Sequence, residues 1–522
     1  MKRVDEMNWT KEVEEIALRK KMALRLGGEE NVALQHEHGK LTARERIALL
    51  VEKGSFTEVG SLTGQASYDK EGKLIGFTPA NVVVGQGRVG GSRVVVAAED
   101  FTVRGGSSEA TNSDKWIWSE KLALEMKLPL IRLVDTAGGS VKIIAKAGAT
   151  KLPGYSDWPF VQLLSEVPVV GVALGPVAGL GAFRVVCSHF SVMIKGTSQV
   201  FAAGPPVVER ATGQKIGKEE LGGYRIHTRG SGVVDNEADS EEEALKQARN
   251  FLSYLPMNVY ELPPRVESHD DRQRRESELL SIIPRDRRKP YDARKIVELV
   301  FDRGSLFEIG RYQGQSIVSI LARLEGRPVG VMVSDPRYYG GGMTASAAEK
   351  MIRFVDLCDT FHLPVVNFVD QPGVLVGIQA EKAGTVRYAI RALQAIEQSR
   401  TPWVAIIVRR AFGVAGSSYG RLRGLNLRFA WPSAMWGSLP IEGGVKAAYK
   451  REIESAPDPL SKTKELEESY DQLQSPLRTA ERFGILDVID PRETRPLLCD
   501  WIEQAYRILP QQLGPTCRGM RV

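Results

Sequence analysis

Residues 403–420 read WVAIIVRRAFGVAGSSYG. An apolar, β-branched run ends in Arg409 and Arg410, and a turn of small residues follows. A strand buried on both faces reads this way, and the backbone N–H groups of the turn can point at a ligand. Residues 167–183, VPVVGVALGPVAGLGAF, have the same grammar. Two strand–turn stretches in one chain ask for a common origin.

A repeat supplies it. ARERIALLVEKGSFTEVG from Ala43 returns as ARKIVELVFDRGSLFEIG from Ala293, with seven of eighteen positions identical. Downstream the offset settles near 235: Arg93 with Pro328, Asp135 with Asp370, Phe201 with Trp436, and Pro168 with Pro402 at 234. The first offset is 250, so the first half carries about fifteen extra residues near Leu62–Phe77. A repeat this long is a duplicated domain. Strands alternating with helices in each half predict an α/β fold. The expected domains are 1–260 and 289–522, joined by a Pro-, Arg- and acid-rich linker, 261–288.

Composition narrows the class. With 522 residues, 43% hydrophobic and 26% charged, the chain reads as a multidomain globular protein. Fifty-one glycines exceed the usual share of about 7% and forecast tight turns. Cys187, Cys358, Cys499 and Cys517 form no CxxC pair, which fits a reducing compartment and a cytoplasmic location. The charged start has no apolar signal region, and the longest apolar run falls short of the roughly 18–20 residues that span a bilayer. Net charge is +6, and the densest basic run, RDRRKP at 285–290, reads as a solvated stretch; no aromatic-interleaved basic motif supports nucleic-acid binding.

Several motifs fail on context. GQGRVG at 85–90 precedes a strand, so it reads as a hairpin and not as a phosphate-cradling turn before a helix. GSSYG at 416–420 follows a strand as a nucleophile elbow does, yet no histidine follows Ser418. The six histidines show no metal spacing. Asp135 and Asp370 each close a strand before a glycine turn, where a carboxylate caps the turn or holds its amides. GPVAGLGA and AFGVAGSS contain no side-chain base. Paired turn amides converging on one oxygen would make an oxyanion hole, and its doubling in both halves favours that role over simple close packing.

KLTARERIALLVEKGSFTEVG, DFTVRGGSSEA, LGGYRIHTRGSGVVD and DVIDPRETR resemble the carboxyltransferase β-subunits of biotin-dependent acyl-CoA carboxylases, propionyl-CoA and methylcrotonyl-CoA type, from about Lys40 to Leu498. The resemblance implies two tandem crotonase-like (ClpP/crotonase) domains, the first binding acyl-CoA and the second carboxybiotin. It also implies a homohexameric core with active sites between different subunits. Biotin would arrive on a separate biotin carboxylase/biotin carrier partner, because Met126-Lys127-Leu128 is no biotinylation site. No metal and no membrane contact are implied, except as a sodium-pumping decarboxylase.

By the same resemblance the paired amides fall on Gly179 and Leu180, beside Gly181, and on Val414 and Ala415. Phe101, Thr102, Gly105, Gly106, Ala137, Gly138, Gly139 and Ser417 would bind substrate, and Gln371, Pro372, Gly373 and Gly413 the biotin. The transfer then runs through CO2 and a thioester enolate, with the biotin nitrogen as base. This chain departs from the family at Leu180, at GVAG (413–416) and at AGGSV (137–141), where an arginine is missing and Lys142 is near; these changes bear on substrate choice. Three other readings stay open: a decarboxylase α-subunit running the reverse transfer, a biotin-independent hydratase or thioesterase needing an acid near the first turn, and a non-catalytic scaffold.

Overall fold

Apolar runs with no polar face become the central strands. The computed structural model describes residues 8–150, 152, 154, 157–417, 419–420, 427–517 and 519–522. It divides into two compact units, Met1–Ser253 (with Val522) and Tyr254–Arg521.

In the first unit a hairpin, β1 (Val82–Val89) and β2 (Ser92–Glu99), leads to β3 (Leu130–Thr136) and β4 (Val169–Ala178). Helix α1 (Ala43–Leu50) precedes them and helix α2 (Leu180–Val186) follows β4 directly. In the second unit α3 (Ala293–Val300) precedes β5 (Ile317–Leu324), β6 (Arg327–Ser334), β7 (Val365–Gln371) and β8 (Trp403–Phe412), which runs into α4 (Gly413–Ser417). Each sheet has eight strands and is antiparallel only at its start, β1 on β2 and β5 on β6 included. From β2 and from β6 onward the pairing is parallel. Parallel strands need crossovers, which the intervening helices provide. The element starts repeat at 235, 235, 235 and 234 residues, as the sequence offset requires.

The local signals are realised where expected. Thr42 closes a capping box on α1: its Oγ1 accepts from Glu45 N, while Thr42 N donates to Glu45 Oε2 at 2.7 Å. GQGRVG lies in the β1–β2 hairpin, which turns at Gly90 and Gly91 with φ of 56° and 80°. The extra residues of the first half form a separate hairpin, Gly64–Tyr68 against Leu74–Pro79. Lys115 and Lys350 are another repeated pair, on equivalent helices; burial pushes the first amine down to about 8 and the second to about 7. Lys350 Nζ donates to Gly310 O at 3.0 Å.

The segment expected as a linker falls within the second unit, exposed along most of its length and throughout the basic run 285–290. Two of its arginines find carboxylates there: Arg274 pairs with Asp270 at 2.8 Å and Arg275 with Glu493 at 2.7 Å. Val266 N donates to Gly326 O at 3.0 Å. Among the described residues no helix is long and apolar enough to cross a membrane.

Candidate active site

Both sheets carry an irregularity where β3 meets β4 and β7 meets β8, at Asp135 and Asp370. A bulge turns one extra side chain out of the pleat, and here it turns a carboxylate inward. Each Asp is fully buried. Neither serves chiefly as a turn cap; both hold cations. Asp135 accepts from Lys40 Nζ at 3.0 Å, Arg46 at 3.0 Å and Gln35 at 3.2 Å. Arg46 also forks onto Glu241 at 2.8 and 2.7 Å and donates to Leu174 O at 2.9 Å. Burial opposes the Arg46 charge, but Asp135 and Glu241 outweigh it and hold its pKa above the ordinary value. Burial wins at Lys40, whose amine is held lower despite Asp135. Asp370 takes Arg409 Nη2 at 2.8 Å, Arg410 Nε at 2.6 Å and the Tyr291 hydroxyl at 3.1 Å. Its backbone contact is the Arg410 N–H at 3.2 Å.

Above Asp135 three backbone segments converge. Thr136 Oγ1 donates to Gly106 O at 2.7 Å and accepts from Gly138 N at 3.1 Å. Ala137 N donates to Gly105 O and Ser108 N to Gly138 O, both at 3.0 Å. A Cβ on Gly106 would stand 2.5 Å from Asp135 O, and one on Gly138 2.9 Å from Ala178 O, so both glycines are needed for the approach. Gly139 follows with open space where a Cβ would be. The third segment is Gly179 and α2.

The second unit repeats the device. Gln371 Oε1 accepts from Gly373 N at 3.0 Å, as Thr136 accepts from Gly138. Pro372 stands between them, where Ala137 stands in the first unit. Met343 N donates to Gly373 O at 3.0 Å, and a Cβ on Gly341 would stand 2.7 Å from Asp370 O. Arg104 and Tyr339, 235 apart, both take left-handed φ, 55° and 51°. The Tyr339–Gly342 loop was not singled out in the sequence, although subtracting 235 finds it opposite Arg104–Ser107. Gly179 and Gly413 share φ of 60° and 62° and open α2 and α4.

One expected donor is displaced. Gly179 N donates to Phe201 O at 3.2 Å, so its N–H is committed to the sheet. The first two amides of α2, Leu180 and Gly181, have no intrahelical acceptor. They stand 234 residues before Val414 and Ala415, the equivalent amides of α4. Ser417 Oγ donates to Val414 O at 2.7 Å within its own helical turn. Ser418 lies outside the described residues.

Phe101 and Thr102 belong to a cavity beside the first turn. Its volume is about 920 Å³, and Gly105 lies on its wall. Lys40 Nζ stands over the Phe101 ring at 4.1 Å, and Thr102 Oγ1 donates to Asp100 at 2.7 Å while accepting from Gly27 N at 2.9 Å. Arg25, His38, Lys40, Arg104 and Lys218 line the cavity, and among the described residues no acidic one does. Glu109, missed in the sequence, accepts from Ser140 Oγ at 2.8 Å on the rim of the turn. Val141, which stands where the family arginine was expected, is exposed, as is Lys142. Among the described residues no group of three or more His, Cys, Asp or Glu could hold a metal.

Comparison with known proteins fits this architecture. A family model, the carboxyl transferase domain, matches residues 34–507. The propionyl-CoA carboxylase carboxyltransferase subunit of Haloferax mediterranei is 36% identical, over 92% of this chain and 94% of its own. The methylmalonyl-CoA decarboxylase subunit alpha of Veillonella parvula is 32% identical, over 90% and 91%. The solved transcarboxylase 12S, described as a hexamer with methylmalonyl-coenzyme A bound, superposes with a TM-score of 0.85 at 31% identity, covering 95% of both chains. The two units are crotonase-like domains, and the chain belongs to the carboxyl transferase family, that of the acyl-CoA carboxyltransferases.

Proposed function

We propose that this protein is the carboxyltransferase subunit of a biotin-dependent acyl-CoA carboxylase, moving CO2 from carboxybiotin on a partner carrier to an acyl-CoA of the propionyl-CoA type. The observation that carries the reading is the doubled turn. Two helix starts, each behind a left-handed glycine, present amides at equivalent positions above a neutralised carboxylate. Leu180 and Gly181 would hold the thioester oxygen as it becomes an enolate; Val414 and Ala415 would hold the ureido oxygen of biotin.

Chemistry at an enolate needs donors fixed where charge develops, and backbone amides supply them without reorganisation. The second turn fits a neutral ureido ring: Asp370 is already matched by Arg409 and Arg410, so no unpaired carboxylate faces it. Carboxybiotin supplies activated CO2 and, once relieved of it, a basic nitrogen. Gly373 and Gln371 would shape the ring's seat, and Gly105, Gly106, Gly138 and Gly139 that of the acyl group, whose size Leu180 limits. The basic, acid-free cavity beside the first turn suits the phosphates of coenzyme A. We place the active sites in a homohexameric core between copies, in the cytoplasm. The same geometry serves the reverse transfer, and the likeness to a decarboxylase subunit keeps that direction in view.

The test supplies the intact assembly with biotin carboxylase, biotin carrier, ATP and labelled bicarbonate, and screens acyl-CoAs. Label enters a short-chain acyl-CoA if the reading holds. No label in any acyl-CoA, with the carrier shown to be carboxylated, refutes it.

A further inference from the structure

The two glycine turns are held by different side chains. In the first, Thr136 acts alone: its Oγ1 accepts from Gly138 N at 3.1 Å and donates to Gly106 O at 2.7 Å, so one stiff, β-branched residue ties the turn to the loop opposite. In the second the same place is taken by Gln371, whose side chain is longer and has more rotatable bonds. Its Oε1 accepts from Gly373 N at 3.0 Å, which leaves Nε2 to be fixed elsewhere.

Tyr419 fixes it. Gln371 Nε2 donates to the Tyr419 hydroxyl at 2.5 Å. Both side chains are buried, and Trp403 Nε1 donates to Tyr419 O at 2.8 Å, which anchors the tyrosine to the start of β8. Burial holds the phenol above its ordinary pKa, so it stays a neutral hydroxyl. Tyr419 lies just beyond α4, and Gly373 lies in the turn after β7, so the phenol bridges the two backbone segments of the second turn. At the equivalent position of the first unit, 234 residues earlier, stands Val185, buried and without a hydroxyl.

We propose that Tyr419 is a positioning residue for the second turn: through Gln371 it fixes the direction of the Gly373 peptide relative to α4. On the function proposed above, on which this role rests, that peptide and α4 seat biotin, so loss of the phenol falls on the biotin carrier and spares the acyl-CoA. Gly373 is sensitive to such a loss. Its φ of 131° is open to glycine and strained for other residues. Its N–H goes to Gln371 and its carbonyl accepts from Met343 N, at 3.0 Å each. A buried Gln371 amide without its phenol turns to find another partner, and Gly373 loses its acceptor with it.

The test removes the hydroxyl in the intact assembly. With Tyr419→Phe, kcat/KM for the biotin carrier should fall about tenfold, the loss of one buried hydrogen bond, while KM for acyl-CoA stays within about twofold. Hydrogen exchange over residues 371–375, read by mass spectrometry, should quicken by about tenfold as well. The rescue comes from the first unit. Gln371→Thr in the Tyr419→Phe protein supplies a hydroxyl to span Gly373 N and Gly341 O, as Thr136 spans Gly138 N and Gly106 O, and should bring both readouts back to within about threefold of the parent. If Tyr419→Phe does not fold, Gln371→Met, which removes the amide and keeps the phenol, should give the same exchange and carrier-side losses. Unchanged exchange, a failed rescue, or a loss shared equally by carrier and acyl-CoA overturns the proposal. A parent that fixes no label in any acyl-CoA defeats the function proposed above, and exchange at Gly373 then decides the role of Tyr419 by itself.

Discussion

Replacing Ala415 by proline removes one backbone N–H donor from the second turn. Ala415 is 1% exposed and sits in the first turn of α4, where its amide has no intrahelical acceptor and a proline ring is tolerated. If that amide holds an oxygen that gains charge during transfer, its loss costs about 3 kcal/mol, on the order of 10²–10³-fold in kcat. The ring also adds atoms at a buried position, so Ala415→Ser is the matched control: it adds bulk and keeps the donor. Fixation of labelled bicarbonate by the intact assembly gives kcat, and on the proposed reading the KM for acyl-CoA reports the first turn, which the change does not touch. Ala415→Pro should lose kcat by that factor with KM and melting temperature nearly unchanged, while Ala415→Ser stays within about threefold, as a change that leaves transition-state contacts alone should. A folded Ala415→Pro protein turning over within about threefold of its parent would show that this amide holds no developing charge.

Two further outcomes follow from the same geometry. Glu109 is the carboxylate on the rim of the first turn, and carboxyl transfer assigns it no proton to move; Glu109→Gln should keep activity within about threefold, whereas a loss of about 10²-fold or more would point to side-chain acid–base chemistry. Lys350 titrates near 7 in the folded chain against an ordinary 10.5, so between those values the unfolded chain holds a proton that the folded one lacks, and the lysine's contribution to stability rises with pH. Lys350→Met should therefore raise the melting temperature most below pH 7, with the advantage shrinking toward pH 10; an advantage that grows with pH contradicts the burial argument.

The strands and the duplication were legible because parallel strands buried on both faces leave unbroken apolar runs, and because one offset links Arg93, Asp135 and Phe201 to their counterparts. The glycine turns were legible for the same reason. What escaped depends on partners far away in the chain. Gly179 and Leu180 look equivalent as text, and only the pairing with Phe201 decides which amide is left over. Lys40 and Arg46 meet Asp135 across some ninety residues, with no local spacing to announce it. The segment 261–288 reads as a separate linker because its charge favours water, and most of it is exposed, yet Arg274 and Arg275 pair with carboxylates of the second unit.

The cations that answer the two buried strand-end carboxylates come from different places. In the second half they are Arg409 and Arg410, on the neighbouring strand; in the first they are Lys40 and Arg46, from before the sheet begins. Where Arg409 stands, the first half has Gly175, and a Cβ there would lie 2.1 Å from Asp135 Oδ1. Grafting the second half's strand into the first would drive a side chain into that carboxylate. The reverse graft would leave Asp370 with the Tyr291 hydroxyl and no cation, an uncompensated buried charge of the kind that costs about 3–5 kcal/mol. The two copies have thus ceased to be spare parts for each other. An exchange of these strands between the repeats is penalised at folding.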